Sequence, residues 1–202
     1  SVDVAGGHGD VAGDGGVAMR RTILDLCAGT GAWSEPYRKA GYAVERIDLP
    51  QDVRLFRYPT GDIQGILAAP PCRYFCRMRM CRGRPTEAQF REALSIVDAC
   101  LRLVAVCRPA WWALENPSGY LGQWLGPPQL KFDPWEYGDP WTKRTWVWGQ
   151  FKLPLRTPVT PLDSLVRKHI PGSRRQTGIA KTAEARSRTP YGFATAFFRA
   201  NL

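Results

Sequence analysis

No stretch of the 202 residues approaches the roughly 18 consecutive apolar side chains that span a bilayer. The first residues also lack a basic segment leading into an apolar core, and no cleavage signature follows them. A soluble, non-exported, cytoplasmic protein with no membrane partner is expected. Acidic side chains are scarce: 18 Asp and Glu stand against 28 Lys and Arg, a formal charge of +10. The arginines gather at Arg73, Arg77, Arg79, Arg82 and Arg84, and again at Arg167, Arg174, Arg175, Arg186 and Arg188. Clustered positive charge of this kind suits a polyanion, because each neutralised phosphate releases counterions, although a solvated basic surface has the same composition.

Several familiar signatures are missing. There is no internal repeat and no break pointing to a second domain. The spacing Cys72-x3-Cys76-x4-Cys81 is neither the C-x2-C pair of zinc sites nor the C-x3-C-x2-C of iron–sulfur clusters, so no metal is expected. Cys27, Cys72, Cys100 and Cys107 lie in or beside apolar segments, which favours free thiols over a disulfide framework.

Residues 1–19 are rich in Gly, Asp and Ala and have little to bury, so they are expected to form a flexible tail before one domain over 20–202. Apolar runs then alternate with helical patterns: Thr22 to Cys27, a helix ending near Gly41, Ala43 to Asp48, a short Asp52 to Phe56, and Gly65 to Pro70. That alternation predicts an α/β fold with a mostly parallel sheet and helices on both faces. After Pro85, Thr86 and Gln89 have capping-box spacing, and Phe90, Leu94, Val97, Leu101 and Val104 recur at helical intervals until Pro109. Two more strands are expected, Trp111 to Pro117 and Arg144 to Phe151.

Three motifs carry chemistry. Asp25 to Trp33, DLCAGTGAW, is a glycine-containing turn after the first strand, where open α/β sheets bind nucleotide-like cofactors. Asp48 ends the second strand, where an acid can hold ribose hydroxyls. The turn is neither the dinucleotide GxGxxG nor a Walker motif, which favours an adenosyl cofactor without phosphates. In ILAAPPCRYFC, Cys72 follows two prolines at a strand end, with Arg73 and Arg77 positioned to favour a thiolate nucleophile. Glu115, in LENP, places a carboxyl at another strand end, where partial burial lets such a group act as an acid near neutrality.

In order along the chain, these motifs resemble the DNA cytosine-5 methyltransferases, most of all compact methylases of tailed bacteriophages. The resemblance covers most of Ile23 to Asn201 and includes YGDPWTKRTWVWG and TPYGFATAFFRAN. It implies a Rossmann-like class I methyltransferase fold, S-adenosylmethionine as cofactor, DNA as partner, and the cytoplasm of a bacterial or phage-infected cell, with a role in DNA methylation or restriction-modification. Asp25, Cys27, Ala28, Gly29, Thr30, Gly31 and Trp33 would form the cofactor loop. Asp48, Leu49, Asp52 and Pro70 would complete that pocket, with Asp48 and Asp52 following strands two and three. Cys72 would add to cytosine carbon 6, Glu115 would protonate or hydrogen-bond N3, and Arg144 would hold the base carbonyl. Arg73, Arg77, Arg79, Arg82, Arg84 and Lys143 would contact nucleic acid, either a duplex with a flipped cytosine or a single strand.

Two departures are visible: Trp141 stands where relatives have Gln, and Pro117 ends the Glu-Asn motif. The target-recognition segment, about residues 152–188, is much reduced, which implies short or relaxed sequence specificity or a partner. A monomer is expected. Two alternatives stay open: the same chemistry on RNA, and a methyltransferase-like nucleic-acid binder without turnover.

Overall fold

A computed structural model describes residues 21–57, 59, 61–76, 83–160 and 187–202. The tail over 1–19, Cys81, Arg77, Arg79, Arg82 and most of the reduced recognition segment lie outside the described residues.

Six strands form one sheet: β1 (Thr22–Leu26), β2 (Ala43–Ile47), β3 (Ile63–Ala68), β4 (Trp111–Pro117), β5 (Leu130–Phe132) and β6 (Thr145–Gln150). Their order is β2-β1-β3-β4-β6-β5. The first four are parallel, and β6 runs antiparallel to both of its neighbours, β4 and β5. Helix α1 (Glu35–Lys39) joins β1 to β2, α2 (Glu87–Cys107) leads into β4, α3 (Leu121–Leu125) follows β4, and α4 (Tyr191–Ala200) lies near the carboxyl terminus.

Alternation along the strands divides the apolar side chains between two layers. On one face Leu24, Leu26, Ile66, Ala68, Leu114 and Trp148 pack under α2, which contributes Leu94, Val97, Cys100 and Leu103. On the other, Ile23, Leu67, Trp111, Ala113 and Val147 meet Tyr37 of α1 and Phe193 and Phe197 of α4. The helices therefore cover both faces, as the buried strand pattern predicts.

The expected start of α2 is realised in full: Gln89 N–H donates to Thr86 Oγ1 at 3.3 Å, and Thr86 N–H donates to Gln89 Oε1 at 3.1 Å. Such a box contributes about 1 kcal/mol at a helix start. At the other end Arg108 adopts a left-handed conformation, φ 47°, and Pro109 follows. The segment Asp52 to Phe56 differs from expectation, and Asp52, expected to follow the third strand, precedes β3 instead. The segment forms turns rather than a strand, with Leu55 and Phe56 N–H groups both donating to the Asp52 carbonyl. Only Val53 of this segment is buried, which is too little apolar surface to hold a strand against the sheet. Among the described residues no helix is long and apolar enough to cross a membrane.

From β1 the chain moves to β2 on one side and then crosses to β3 on the other. The carboxyl ends of β1 and β3 consequently diverge into separate connections, which is where open α/β sheets leave a crevice for ligands.

Candidate active site

The loop after β1 is built from unusual backbone. Cys27, Gly29 and Gly31 have φ values of 55°, 52° and 67°, a region costly for side chains other than glycine. Cys27 and Ala28 N–H groups both donate to the Ile47 carbonyl, tying the loop to the end of β2. Gly29 N–H donates to Asp48 Oδ2 at 2.9 Å. A Cβ at Gly29 would meet nothing, so the outer surface of the turn is open. Gly31 is different, since a Cβ there would lie 2.3 Å from the Arg46 guanidinium carbon. Arg46 fills that space and braces the turn, donating to the Gly31 carbonyl and to Ser34 Oγ, both at 3.2 Å.

Asp25 lies beneath the loop, 1% exposed, and accepts a 2.5 Å hydrogen bond from Ser34 Oγ. Burial pushes its carboxyl up to about 6; the Ser34 hydrogen bond and the Arg46 charge oppose that shift, and the Asp48 charge adds to it. Asp48 itself is exposed at the end of β2, beside the open turn. An exposed carboxylate at this point can accept ribose hydroxyls, and the open glycine allows close approach of a ligand. The residues present therefore fit an adenosyl group.

Other expected cofactor residues are placed less directly. Ala28 is half-buried, Thr30 and Leu49 are exposed on the same edge, and Pro70 is buried at the end of β3. Trp33 is 2% exposed and packs edge-on to Phe197 with ring centroids 5.5 Å apart, so it supports the loop from within the core. Asp52 is gripped by Arg54, whose Nη2 lies 2.6 Å from Asp52 Oδ2, and Arg54 Nη1 also reaches Glu92 Oε1 on α2 at 2.6 Å. These hydrogen bonds to Arg54 hold the Asp52 carboxyl below its ordinary range.

Cys72 opens a short 3-10 turn, Cys72–Tyr74, immediately past the end of β3. Asn116, the penultimate residue of β4, donates from Nδ2 to the Pro70 carbonyl at 2.8 Å and so joins the prolines before Cys72 to the strand carrying Glu115. Burial pushes the Cys72 thiol up, the charges of Glu115 and Cys76 add to that, and Lys143 opposes it. Cys72, Glu115 and Lys143 therefore share one electrostatic neighbourhood. Glu115 is 5% exposed, and its Oε1 lies 3.6 Å from Lys143 Nζ.

Arg144 is turned elsewhere: its Nη1 lies 3.0 Å from Asp133 Oδ2 and 3.8 Å from Glu136 Oε1, and its side chain is half exposed. Arg73 is exposed, with its guanidinium carbon 5.3 Å from the Tyr74 ring centroid, and Arg84 is also exposed. An apolar hollow of about 520 Å³ opens between Leu101, Trp112, Leu125 and Trp148, and none of the chemistry-bearing residues line it.

Sequence reasoning missed Arg46 and Ser34 as parts of the site, and it gave no role of its own to Asn116 within the Glu-Asn motif. Arg46 looks like an ordinary charged residue in a strand, and only the absence of a side chain at Gly31 hints that something must fill the turn.

No family model and no curated protein matches this chain. Among solved structures, a prophage-encoded candidate DNA modification methyltransferase from E. coli aligns with a TM-score of 0.50 at 17% identity, over 69% of this chain and 53% of that one. The chain thus spans about half the length of that protein. At this identity the likeness is one of fold, and the fold is the Rossmann-like one.

Proposed function

We propose that the chain is an S-adenosylmethionine-dependent DNA methyltransferase that modifies carbon 5 of cytosine. The observation that supports this most is the meeting of Cys72 and Glu115, from separate motifs, at the sheet edge that also carries the open Gly29 turn and Asp48. The fold neighbour is itself described as a candidate DNA modification methyltransferase, which agrees with the chemistry.

Bound at the Cys27 to Gly31 turn, with its ribose at Asp48, the cofactor would supply an electrophilic methyl group. Cys72 forms a bond from its sulfur to cytosine carbon 6, which makes carbon 5 nucleophilic. Glu115 donates a proton or hydrogen bond to N3 and neutralises the charge that develops on the ring. After methylation the carbon 5 proton leaves to a base, and Cys72 departs as thiolate. Asn116 positions the nucleophile through its bond to Pro70. Arg73, exposed on the Cys72 turn, and Arg84, exposed ahead of α2, contact phosphates, and the target base is either flipped or already single-stranded. We assign no contact with the base to Arg144, whose guanidinium is engaged by Asp133 and Glu136.

Oligonucleotides containing 5-fluorocytosine test this reading, because fluorine cannot leave as the proton does. The wild-type protein should form a denaturation-resistant adduct in the presence of cofactor, and Cys72→Ala should form none. Trapping on RNA but not on DNA would change the substrate, and no adduct on either would overturn the reading.

A further inference from the structure

Cys72, Glu115 and Lys143 form a set whose charges do not cancel in the obvious way. Two groups can be anionic, and among the described residues one cation, Lys143, pairs with Glu115 and acts on Cys72. The Lys143 and Glu115 side chains are only 18% and 7% exposed, so their charges are weakly screened. The Asn116 to Pro70 hydrogen bond and the bridge between Cys76 and Gly119 keep the Cys72 turn against the end of β4. Among the described residues, the other titratable groups near Cys72 offer no second cation aimed inward: Arg73 lies over Tyr74, Arg144 is on Asp133, and Cys76 opposes ionisation of Cys72. A largely buried Glu115–Lys143 pair beside a half-buried thiol favours one anion per cation, because a second would be unpaired.

We propose that Lys143 is a positioning residue that holds Cys72 and Glu115 at a single negative charge between them, so that the two share one proton. The inference rests on the functional reading above and deepens it. In the transfer, the Cys72 S–H bond breaks, the electron pair stays on sulfur, and the proton forms an O–H bond on the Glu115 carboxylate. Lys143 keeps its three protons throughout. One proton movement thus supplies the thiolate that attacks carbon 6 and the acid that serves N3, with no change in net charge at the site. A lysine suits this task, since its compact ammonium on a flexible stem can follow charge from carboxylate to thiolate, whereas a guanidinium fork would fix the carboxylate in a bidentate pair.

The test needs neither DNA nor cofactor. The rate of Cys72 alkylation by iodoacetamide is measured against pH, and trypsin cleavage after Arg73 separates Cys72 from Cys76 for mass spectrometry. Lys143→Met should move the Cys72 midpoint up by at least about one pH unit, so that alkylation at pH 8 slows about tenfold. Glu115→Gln should move it down, because the opposing carboxylate is gone. Lys143→Met leaves Glu115 unpaired and can impair folding, so Glu115→Gln is also compared with the double variant, in which no buried charge is left alone. Removal of Lys143 should raise the midpoint there too.

A midpoint unmoved by loss of Lys143 in both backgrounds, with thermal unfolding retained, would overturn the proposal and leave Lys143 a structural or phosphate-contacting residue. A shifted midpoint with no 5-fluorocytosine adduct would keep the shared proton and remove the DNA reading. An adduct with an unshifted midpoint would do the reverse.

Discussion

Replacing Asp25 with asparagine should stabilise the protein, and only above a definite pH. In the folded chain Asp25 holds its proton up to about 6, against an ordinary value of 3.8, because it is buried beneath the β1 loop. Between those two values the unfolded chain has released this proton and the folded chain has not. Stability therefore falls as pH rises through the window, by about 1.4 kcal/mol per pH unit and about 3 kcal/mol across it, then stays lower above pH 6. Asparagine cannot ionise, and its Oδ1 can still accept from Ser34 Oγ. At pH 4 the variant and wild type should be of similar stability, whereas at pH 8 Asp25→Asn should be more stable by up to about 3 kcal/mol. Urea unfolding followed by tryptophan fluorescence at pH 4, 6 and 8 reads the difference, which cancels the titration of every other group. A difference that stays constant with pH would falsify the reasoning, since a purely steric or hydrogen-bonding effect has no such dependence.

Two further changes separate ligand contact from scaffold. Asp48→Ala removes the acceptor of the Gly29 N–H and the exposed carboxylate beside it, so affinity for S-adenosylhomocysteine in calorimetry should drop about tenfold, or about 1.4 kcal/mol, with little change in thermal unfolding. Unchanged affinity would place the cofactor elsewhere. Gly149→Ala should cost more than about 2 kcal/mol in denaturant unfolding, because the new Cβ would fall 2.1 Å from the Trp112 carbonyl at a residue with φ 147°. Unimpaired stability there would mean that the β4–β6 pair tolerates separation at this point.

β1, β3 and β4 were legible because they are buried on both sides, and buried parallel strands leave nearly continuous apolar runs in sequence. β4 begins and ends at the residues expected, Trp111 and Pro117. The helix after Pro85 was legible from its cap and period together. Short elements left no such trace. α3 and β5 have five and three residues, too few for a period to declare itself. Asp52 to Phe56 carried a strand-like composition without a neighbouring strand to complete it. In the site, Cys72 stood out through the two prolines before it and the arginines after it, and Glu115 through its place at a strand end next to Asn116 and Pro117. The partition of roles between Lys143 and Arg144 could not be read, since adjacent residues in a loop have equal claims until tertiary contacts choose between them. Trp33 illustrates a related limit, as its motif suggested a cofactor contact whereas its apolar bulk places it in the aromatic layer with Phe193 and Phe197.

The reversed direction of β6 brings its beginning, rather than its end, to the ligand edge. Pairing of Pro117 with Thr145, and the Ser118 N–H bond to the Arg144 carbonyl, set which residue arrives beside Glu115. A strand that slipped by one position would invert its faces and offer a guanidinium where an ammonium now stands. The segment from Asp133 to Arg144 is thus constrained in length by chemistry, while loops on the far side of the sheet carry no such burden. Insertions or deletions of a single residue there should be among the least tolerated changes in the chain, even though most of the segment touches no reacting atom.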